Sequence, residues 1–266
     1  LYRYVIVGGL PEVVNCFLET KNIELIYQVQ RNLIAGYEED MVKYADDADK
    51  SRIRECFESI PKQLAKENKK FQYSVVRKGG RASQYIGSIQ WLEDAGIVCR
   101  CCNTQITELP LEGNAIKDSF KVYTTDIGIL MAMLDYGTQA DILKGNLFGY
   151  KGAIFENLMA DFLCKSGQKL YYFHKDSGLE LDFLVRYRGE CVILEVKAKT
   201  GKAKSMATVL KNKKIYHVTN AIKLGQYNVG RVGEVLTIPL YMGFLVEDKI
   251  ADAIIPDVDL SSMITT

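Results

Sequence analysis

The stretch from Glu180 to Lys197 constrains the fold of this chain most, because it has the pattern of two strands joined by a polar turn at 186–190. Apolar and polar residues alternate in both strands, and this period places successive side chains on opposite faces of a sheet. The stretch therefore predicts a β-hairpin. The apolar face of its first strand is expected to hold Leu181, Phe183 and Val185.

The polar positions of the hairpin are the candidate chemical groups. Glu180 and Asp182 lie opposite the apolar face of the first strand, and Glu195 and Lys197 lie opposite that of the second strand. Carboxylates that converge on one surface form a hard oxygen site for a divalent cation such as Mg²⁺. A lysine beside them can hold a reacting water or a phosphate, so the pattern favours phosphodiester chemistry. The alternative is a salt-bridged polar face, which antiparallel hairpins commonly present to solvent.

A helix is expected just before this hairpin, over residues 152–166. At about 100° per residue, Glu156 falls at the edge of the apolar stripe and can point toward the sheet. We therefore include Glu156 with Asp182, Glu195 and Lys197 as candidate catalytic residues, and the three carboxylates as candidate metal ligands. The stripe itself consists of Phe155, Leu158, Met159, Phe162 and Leu163.

The residues before this helix divide into a helical segment, 1–50, and a second unit, 51–145. Helical spacing predicts separate helices over 23–33 and 36–44. A polar break follows, with Ser51 as the expected N-cap of a helix that ends near Pro61.

Residues 51–145 have the pattern of a winged helix. A helix over 82–95, stopped by Gly96, precedes two strands, 97–104 and 119–124. Such a helix could enter a DNA major groove with Ser83, Gln84 and Ser88 on its outer face. The candidate nucleic-acid contacts before it are Arg77, Lys78 and Arg81. A module that packs against protein is an equally good interpretation, because the helix ends in two acidic residues.

The remaining chain is interpreted as a mixed-sheet domain, 146–250, and a C-terminal tail, 251–266. Further strands are expected at 170–174, 215–219 and 234–238. A basic loop follows the hairpin and supplies three more candidate nucleic-acid contacts, Lys199, Lys202 and Lys204. The expected fold class is thus α+β or α/β, with a helical linker and winged helix ahead of a mixed sheet.

Composition adds limits on location and partners. Residues 151–214 contain 13 lysines and arginines against 7 acidic residues, a local net charge of +6. Such local basicity is compatible with a polyanion such as DNA and is also common on ordinary protein surfaces. Seven cysteines without disulfide-like spacing predict a reducing cytoplasm, and Cys99, Cys101 and Cys102 lack the second ligand pair that a structural zinc site needs. No apolar run is long enough for a membrane helix, so no membrane association is expected. The chain does not begin with methionine, and we expect it to continue a longer protein.

The candidate residues together resemble a known superfamily. Asp182, then Glu195-Val-Lys197 on the next strand, with Glu156 in the preceding helix, is similar to the PD-(D/E)XK nucleases. More specifically, three segments resemble the C-terminal domain of a family of prokaryotic AAA-type ATPases: Gly152–Asn157, Ser177–Phe183 and Leu194–Lys197. Four upstream segments are similar to the linker and winged helix of that family, namely Gly8–Glu12, Ser59–Leu64, Tyr85–Gly96 and Phe120–Gly128.

This resemblance implies a PD-(D/E)XK nuclease-like domain, association with DNA and an upstream ATPase domain as partner, with Mg²⁺ as the possible cofactor. The chain contains no phosphate-loop motif, so ATP is expected to bind only through that upstream domain. Homo-oligomerisation is a further possibility. Two functions stay open at this point: Mg²⁺-dependent cleavage of DNA, and a non-catalytic module that binds DNA or protein.

Overall fold

A computed structural model describes residues 1–44, 47–146, 148–198 and 201–246 of the chain. The architecture is mixed, with a helical N-terminal part followed by a sheet domain, which confirms the expected fold class. The proposed tail, 251–266, and Lys199 lie outside the described residues.

The chain begins with helices α1 (Tyr2–Val7), α2 (Pro11–Thr20), α3 (Ile23–Tyr44) and α4 (Asp47–Leu64). Helix α3 is continuous, so the prediction of two helices separated near Gly36 is wrong. One glycine costs a helix only about 1 kcal/mol relative to alanine, which is too little to interrupt one that packs on its neighbours. Ser51 lies inside α4 and is not its N-cap. Helix α4 also continues past Pro61, because its buried face extends to Leu64.

The segment predicted to be a winged helix contains α5 (Tyr73–Val76), α6 (Ala82–Asp94), β1 (Val98–Thr104) and β2 (Ala115–Thr124). Helix α6 stops where expected, and Gly96 has a positive φ of 71° just beyond it. Ser83 and Gln84 are exposed, as predicted. Ser88 is buried, which corrects its assignment to the outer face: α6 packs on α4 along that side.

Three more helices lead to the second half of the chain: α7 (Ile127–Met133), α8 (Thr138–Leu143) and α9 (Lys151–Lys165). The Asp126 carboxylate caps α7, accepting a hydrogen bond of 2.8 Å from the backbone N–H of Gly128. Helix α9 matches the helix predicted over 152–166. Glu156 is buried on it, as its place at the stripe's edge predicts.

The second half completes an eight-stranded sheet with β3 (Leu170–His174), β4 (Glu180–Tyr187), β5 (Glu190–Val196), β6 (Asn220–Gly225), β7 (Gly230–Val232) and β8 (Val235–Pro239). The strand order is β2-β1-β3-β4-β5-β6-β8-β7. Strands β1 and β3 pair in parallel, so the two wing strands continue the same sheet as the hairpin β4–β5.

Two short helices, α10 (Lys204–Lys211) and α11 (Lys213–Tyr216), connect β5 to β6. The strand predicted over 215–219 is therefore wrong. His217 adopts a left-handed conformation, with φ of 51°, and ends α11, so the next strand starts only at Asn220.

The sheet is covered on both faces. Helix α9 belongs to a large core that also includes the N-terminal helices, and α10 belongs to a smaller core on the other face. Val192, Leu194 and Val196 of β5 share the larger core, so the apolar residues of this strand lie on one face. In the part of the chain that the structure describes, no helix is both long and apolar enough to cross a bilayer.

Candidate functional site

A β-bulge in β4 sets the position of Asp182. Tyr171 of β3 pairs with Leu184, and Phe173 pairs with Leu181, so β4 has one more residue than β3 between these pairs. A bulge of this kind changes which face the following side chains occupy. As a result Leu181 packs in the smaller core and Phe183 in the larger one, which corrects the prediction that they share a face.

The end of β5 holds the other hairpin residues. The backbone N–H of Val196 donates a 2.8 Å hydrogen bond to Oδ2 of Asp182, which links the two strands at the site. Lys197 Nζ lies 2.5 Å from Oε1 of Glu195. The Glu195 side chain is 6 % exposed and that of Lys197 is 27 % exposed, so the ammonium reaches solvent while the carboxylate does not.

The second oxygen of Glu195, Oε2, is buried and has no hydrogen-bond partner, as is true of four other side-chain atoms in the described residues. Leaving a buried polar atom unpaired costs about 1–3 kcal/mol, and more for a charged group. Native proteins rarely keep such an atom without a reason, and an absent ligand is one reason.

Glu156 extends from α9 into a cluster formed by the N-terminal half of the chain. Its Oε1 forms a short ion pair with Lys69. Its Oε2 accepts a 3.2 Å hydrogen bond from the Tyr123 hydroxyl and lies 3.9 Å from Lys121 Nζ. Every one of these partners precedes residue 140, whereas Glu156 belongs to the second half.

Lys121 is the most buried of the cations, with only 1 % of its side chain exposed. Its ammonium donates a 2.6 Å hydrogen bond to Glu180 and lies 4.7 Å from the centre of the Tyr172 ring. Burial alone would lower the pKa of Lys121, but the carboxylates of Glu156 and Glu180, with Asp182, raise it instead. Lys121 is therefore a permanent buried cation.

Sequence reasoning missed both Lys69 and Lys121. For Lys121 a signal existed, because it interrupts the otherwise apolar and aromatic run Phe120–Tyr123. A lysine in such a run needs a buried carboxylate partner. Lys69 gives no comparable signal, because it lies in a polar stretch between α4 and α5 that resembles any exposed loop.

The carboxylates of the site differ in the direction in which their pKa is shifted. Burial raises the pKa of Asp182 well above its ordinary value, and the nearby carboxylates Glu156 and Glu195 raise it further. Burial likewise raises the pKa of Glu195, although Lys197 opposes this. The pKa of Glu156 is lowered, since Lys121 and Lys69 outweigh the effect of burial. Lys197 thus pairs with one oxygen of Glu195 and leaves Oε2 without a partner, whereas both oxygens of Glu156 are already paired.

These features fit a divalent cation at Asp182 and Glu195. Both are oxygen ligands of the kind Mg²⁺ prefers, and Glu195 offers a buried oxygen without a partner. The oxygens of Glu156 are occupied by Lys69, Lys121 and Tyr123 in this conformation. Across residues 1–44, 47–146, 148–198 and 201–246, no group of three or more His, Cys, Asp or Glu is arranged to hold a metal ion.

The predicted nucleic-acid contacts lie on two loops at the surface. Arg77, Lys78 and Arg81 are exposed ahead of α6, and Arg77 lies 3.7 Å from Glu55. Lys202 and Lys204 are exposed at the start of α10. Their roles stay predictions.

The cysteines are free thiols, in agreement with the absence of disulfide-like spacing. Cys101 is buried in the larger core, while Cys99 and Cys102 are half-buried beside it. All three belong to β1, where Cys101 pairs with Lys121 of β2 and therefore lies beside the cluster around Glu156.

Two family models match successive parts of the chain, one before and one after residues 141–150. The model of a domain of unknown function, DUF8612, matches residues 1–140. The chain belongs to the DUF8612 family. A second domain of unknown function, DUF4143, matches residues 151–241 of this DUF8612 protein and contains Glu156, Asp182, Glu195 and Lys197. No curated protein and no solved structure is detectably similar to the chain.

Proposed function

We propose that the DUF4143 half carries a Mg²⁺-dependent phosphodiester-hydrolysing site that acts on DNA. The observation that supports it best is the buried, unpartnered Oε2 of Glu195, adjacent to an aspartate whose pKa is raised and a lysine that reaches solvent. A cation held by Asp182 and Glu195 would satisfy this oxygen and offset the charge that the two carboxylates concentrate.

Each residue of the site has a part in this proposal. Asp182 and Glu195 hold the metal, which when bound polarises the phosphoryl group and lowers the pKa of a water. The Val196 N–H fixes the orientation of Asp182. Burial disfavours the charge of Lys197, yet Glu195 raises its pKa, so the ammonium stays protonated. Partly exposed, Lys197 can orient a water and stabilise negative charge on the phosphate oxygens.

DNA cleavage tests this proposal directly. The purified chain is incubated with linear and branched DNA in Mg²⁺, in Mn²⁺ or in EDTA. We expect metal-dependent products, and a loss of about 10²-fold or more for Glu195→Gln, Asp182→Asn and Lys197→Met. Glu190→Gln is the matched control, because Glu190 is an exposed carboxylate on the same strand β5. No cutting in either metal, or equal cutting by Glu195→Gln, would reject the proposal.

A non-catalytic binding module is the second candidate. The observation in its favour is that lysines and Tyr123 occupy both oxygens of Glu156. In that case DNA or a protein partner would bind the exposed winged-helix loop, Arg77–Arg81, and the loop carrying Lys202 and Lys204. DNA binding through phosphates should weaken steeply with salt, by about one power of salt concentration for each neutralised phosphate. Absence of binding at low salt would leave protein as the partner.

The cellular setting is also part of the proposal. DUF4143 occurs in AAA-ATPase-associated proteins, which supports placing this chain next to an ATPase domain in the cytoplasm. ATP would then act through that domain. We expect this chain to form a complex with the ATPase domain in size-exclusion chromatography with light scattering. The mass from the same measurement gives the number of copies of each chain in the complex.

A further inference from the structure

The candidate site is built from both halves of the chain. Helix α9 and the hairpin of the DUF4143 half supply its carboxylates. The DUF8612 half supplies the cations Lys69 and Lys121 and the hydroxyl of Tyr123. The charge of Glu156 therefore depends on how the first half is placed against the second.

The two oxygens of Glu156 are held in different ways. Oε2 faces Tyr123 and Lys121, which lie on β2, the edge strand paired with β1, and are fully buried. Oε1 is paired with Lys69. The β2 groups cannot leave without disrupting the sheet, whereas Lys69 is carried by a connection between helices.

Hydrogen bonds at its base hold the connection that carries Lys69. Gln63 and Gln72 exchange hydrogen bonds of 2.9 and 3.0 Å across its base, and the Phe71 N–H donates to the Phe120 carbonyl at 2.7 Å. Between these anchors, the Lys69 side chain is 16 % exposed. The Lys69 ammonium can thus leave the Glu156 carboxylate and be solvated by water instead, and this requires no strand to move.

We propose that Lys69 competes with the divalent cation for Oε1 of Glu156, so that the DUF8612 half sets the metal affinity of the DUF4143 site. This inference rests on the proposed function. With Lys69 in place, the site offers Asp182 and Glu195. When Lys69 withdraws, Oε1 becomes a third carboxylate ligand while Tyr123 and Lys121 keep Glu156 in position through Oε2.

Mn²⁺ binding to the full chain, measured by isothermal titration calorimetry, tests the competition without relying on activity. Lys69→Met removes the competing ammonium and keeps much of the side-chain volume. We expect Mn²⁺ to bind Lys69→Met about tenfold more tightly than the wild type. Substitutions of residues that contact metal ligands typically change metal affinity by about 10–100-fold, so this effect lies within the usual range. Lys69→Arg keeps a cation and should bind as the wild type does. Lys70→Met is the matched control, because it removes the same charge from the adjacent exposed residue.

A double variant separates the proposed contact from a general change in charge. In a Glu156→Gln background the effect of Lys69→Met should disappear. Equal Mn²⁺ affinities of the wild type and Lys69→Met would overturn the inference and leave the proposed function standing. Persistence of the tighter binding in the Glu156→Gln background would also overturn it, since long-range charge would then be the cause. Failure of the wild type and of Lys69→Met to bind Mn²⁺ would reject the proposed function and the inference together.

Discussion

Replacing the buried Lys121 should destabilise the chain strongly. Lys121→Met keeps the apolar stem of the side chain but removes the ammonium that lies 2.6 Å from Glu180 and 3.9 Å from Glu156. Removing one partner of a buried ion pair costs about 3–5 kcal/mol, because an unpaired charge stays behind. Glu180 can turn toward water, since 28 % of its side chain is exposed, and Glu156 keeps Lys69. We therefore expect the lower end, about 3 kcal/mol.

Urea unfolding followed by circular dichroism measures this loss, and it should correspond to a Tm about 6–12 °C lower for a chain of this size. Lys117→Met is the matched control, because Lys117 lies on the same strand β2 but is exposed. Its substitution should change the free energy of unfolding by no more than about 0.5 kcal/mol. A loss below about 1 kcal/mol for Lys121→Met would refute the view that this lysine neutralises buried carboxylates.

The remaining predictions concern pH, backbone packing and salt. Burial raises the pKa of Asp161 from 3.8 to about 6, so the folded state retains its proton longer than the unfolded state does. The protonated Asp161 therefore stabilises the fold below about pH 4, and about 3 kcal/mol of this stabilisation is lost as pH rises through 6. In urea titrations at several pH values, Asp161→Asn should remove this dependence of the free energy of unfolding on pH. Gly225→Ala should cost about 1–3 kcal/mol, because a Cβ there would lie 2.7 Å from the carbonyl oxygen of Lys197. Thermal melts of both variants test this, and Gly152→Ala, where a Cβ meets no atom within 4 Å, should leave the Tm unchanged or raise it. If DNA binds, reversing Lys204 to Glu should weaken binding and reduce its salt slope, and an unchanged slope would remove Lys204 from the interface.

Local patterns were sufficient to predict much of this fold. Period-two alternation identified the hairpin, and the apolar stripe of α9 placed Glu156 toward the sheet. The stop of α6 followed from one glycine, Gly96, that can adopt a positive φ. Each of these features depends on residues close in sequence, which is why the sequence alone specifies them.

Features that depend on distant contacts were not predictable in the same way. The bulge at Asp182 arises from pairing with β3, and helix α3 stays continuous through Gly36 because of packing. The ion pair of Lys69 with Glu156 joins residues 87 positions apart. The sequence therefore predicts which carboxylates belong to the candidate site, but the cations that hold Glu156 follow only from how the two halves pack.

The proposed function requires Asp182 and Glu195 to hold a divalent cation together. Crystals of the chain soaked in Mn²⁺, with diffraction measured at the manganese absorption edge, would locate such a cation. We expect an anomalous peak between the two carboxylates, within about 2.3 Å of an oxygen of each. A wild-type crystal with no peak there, or with peaks only at other surface carboxylates, would contradict the proposed function.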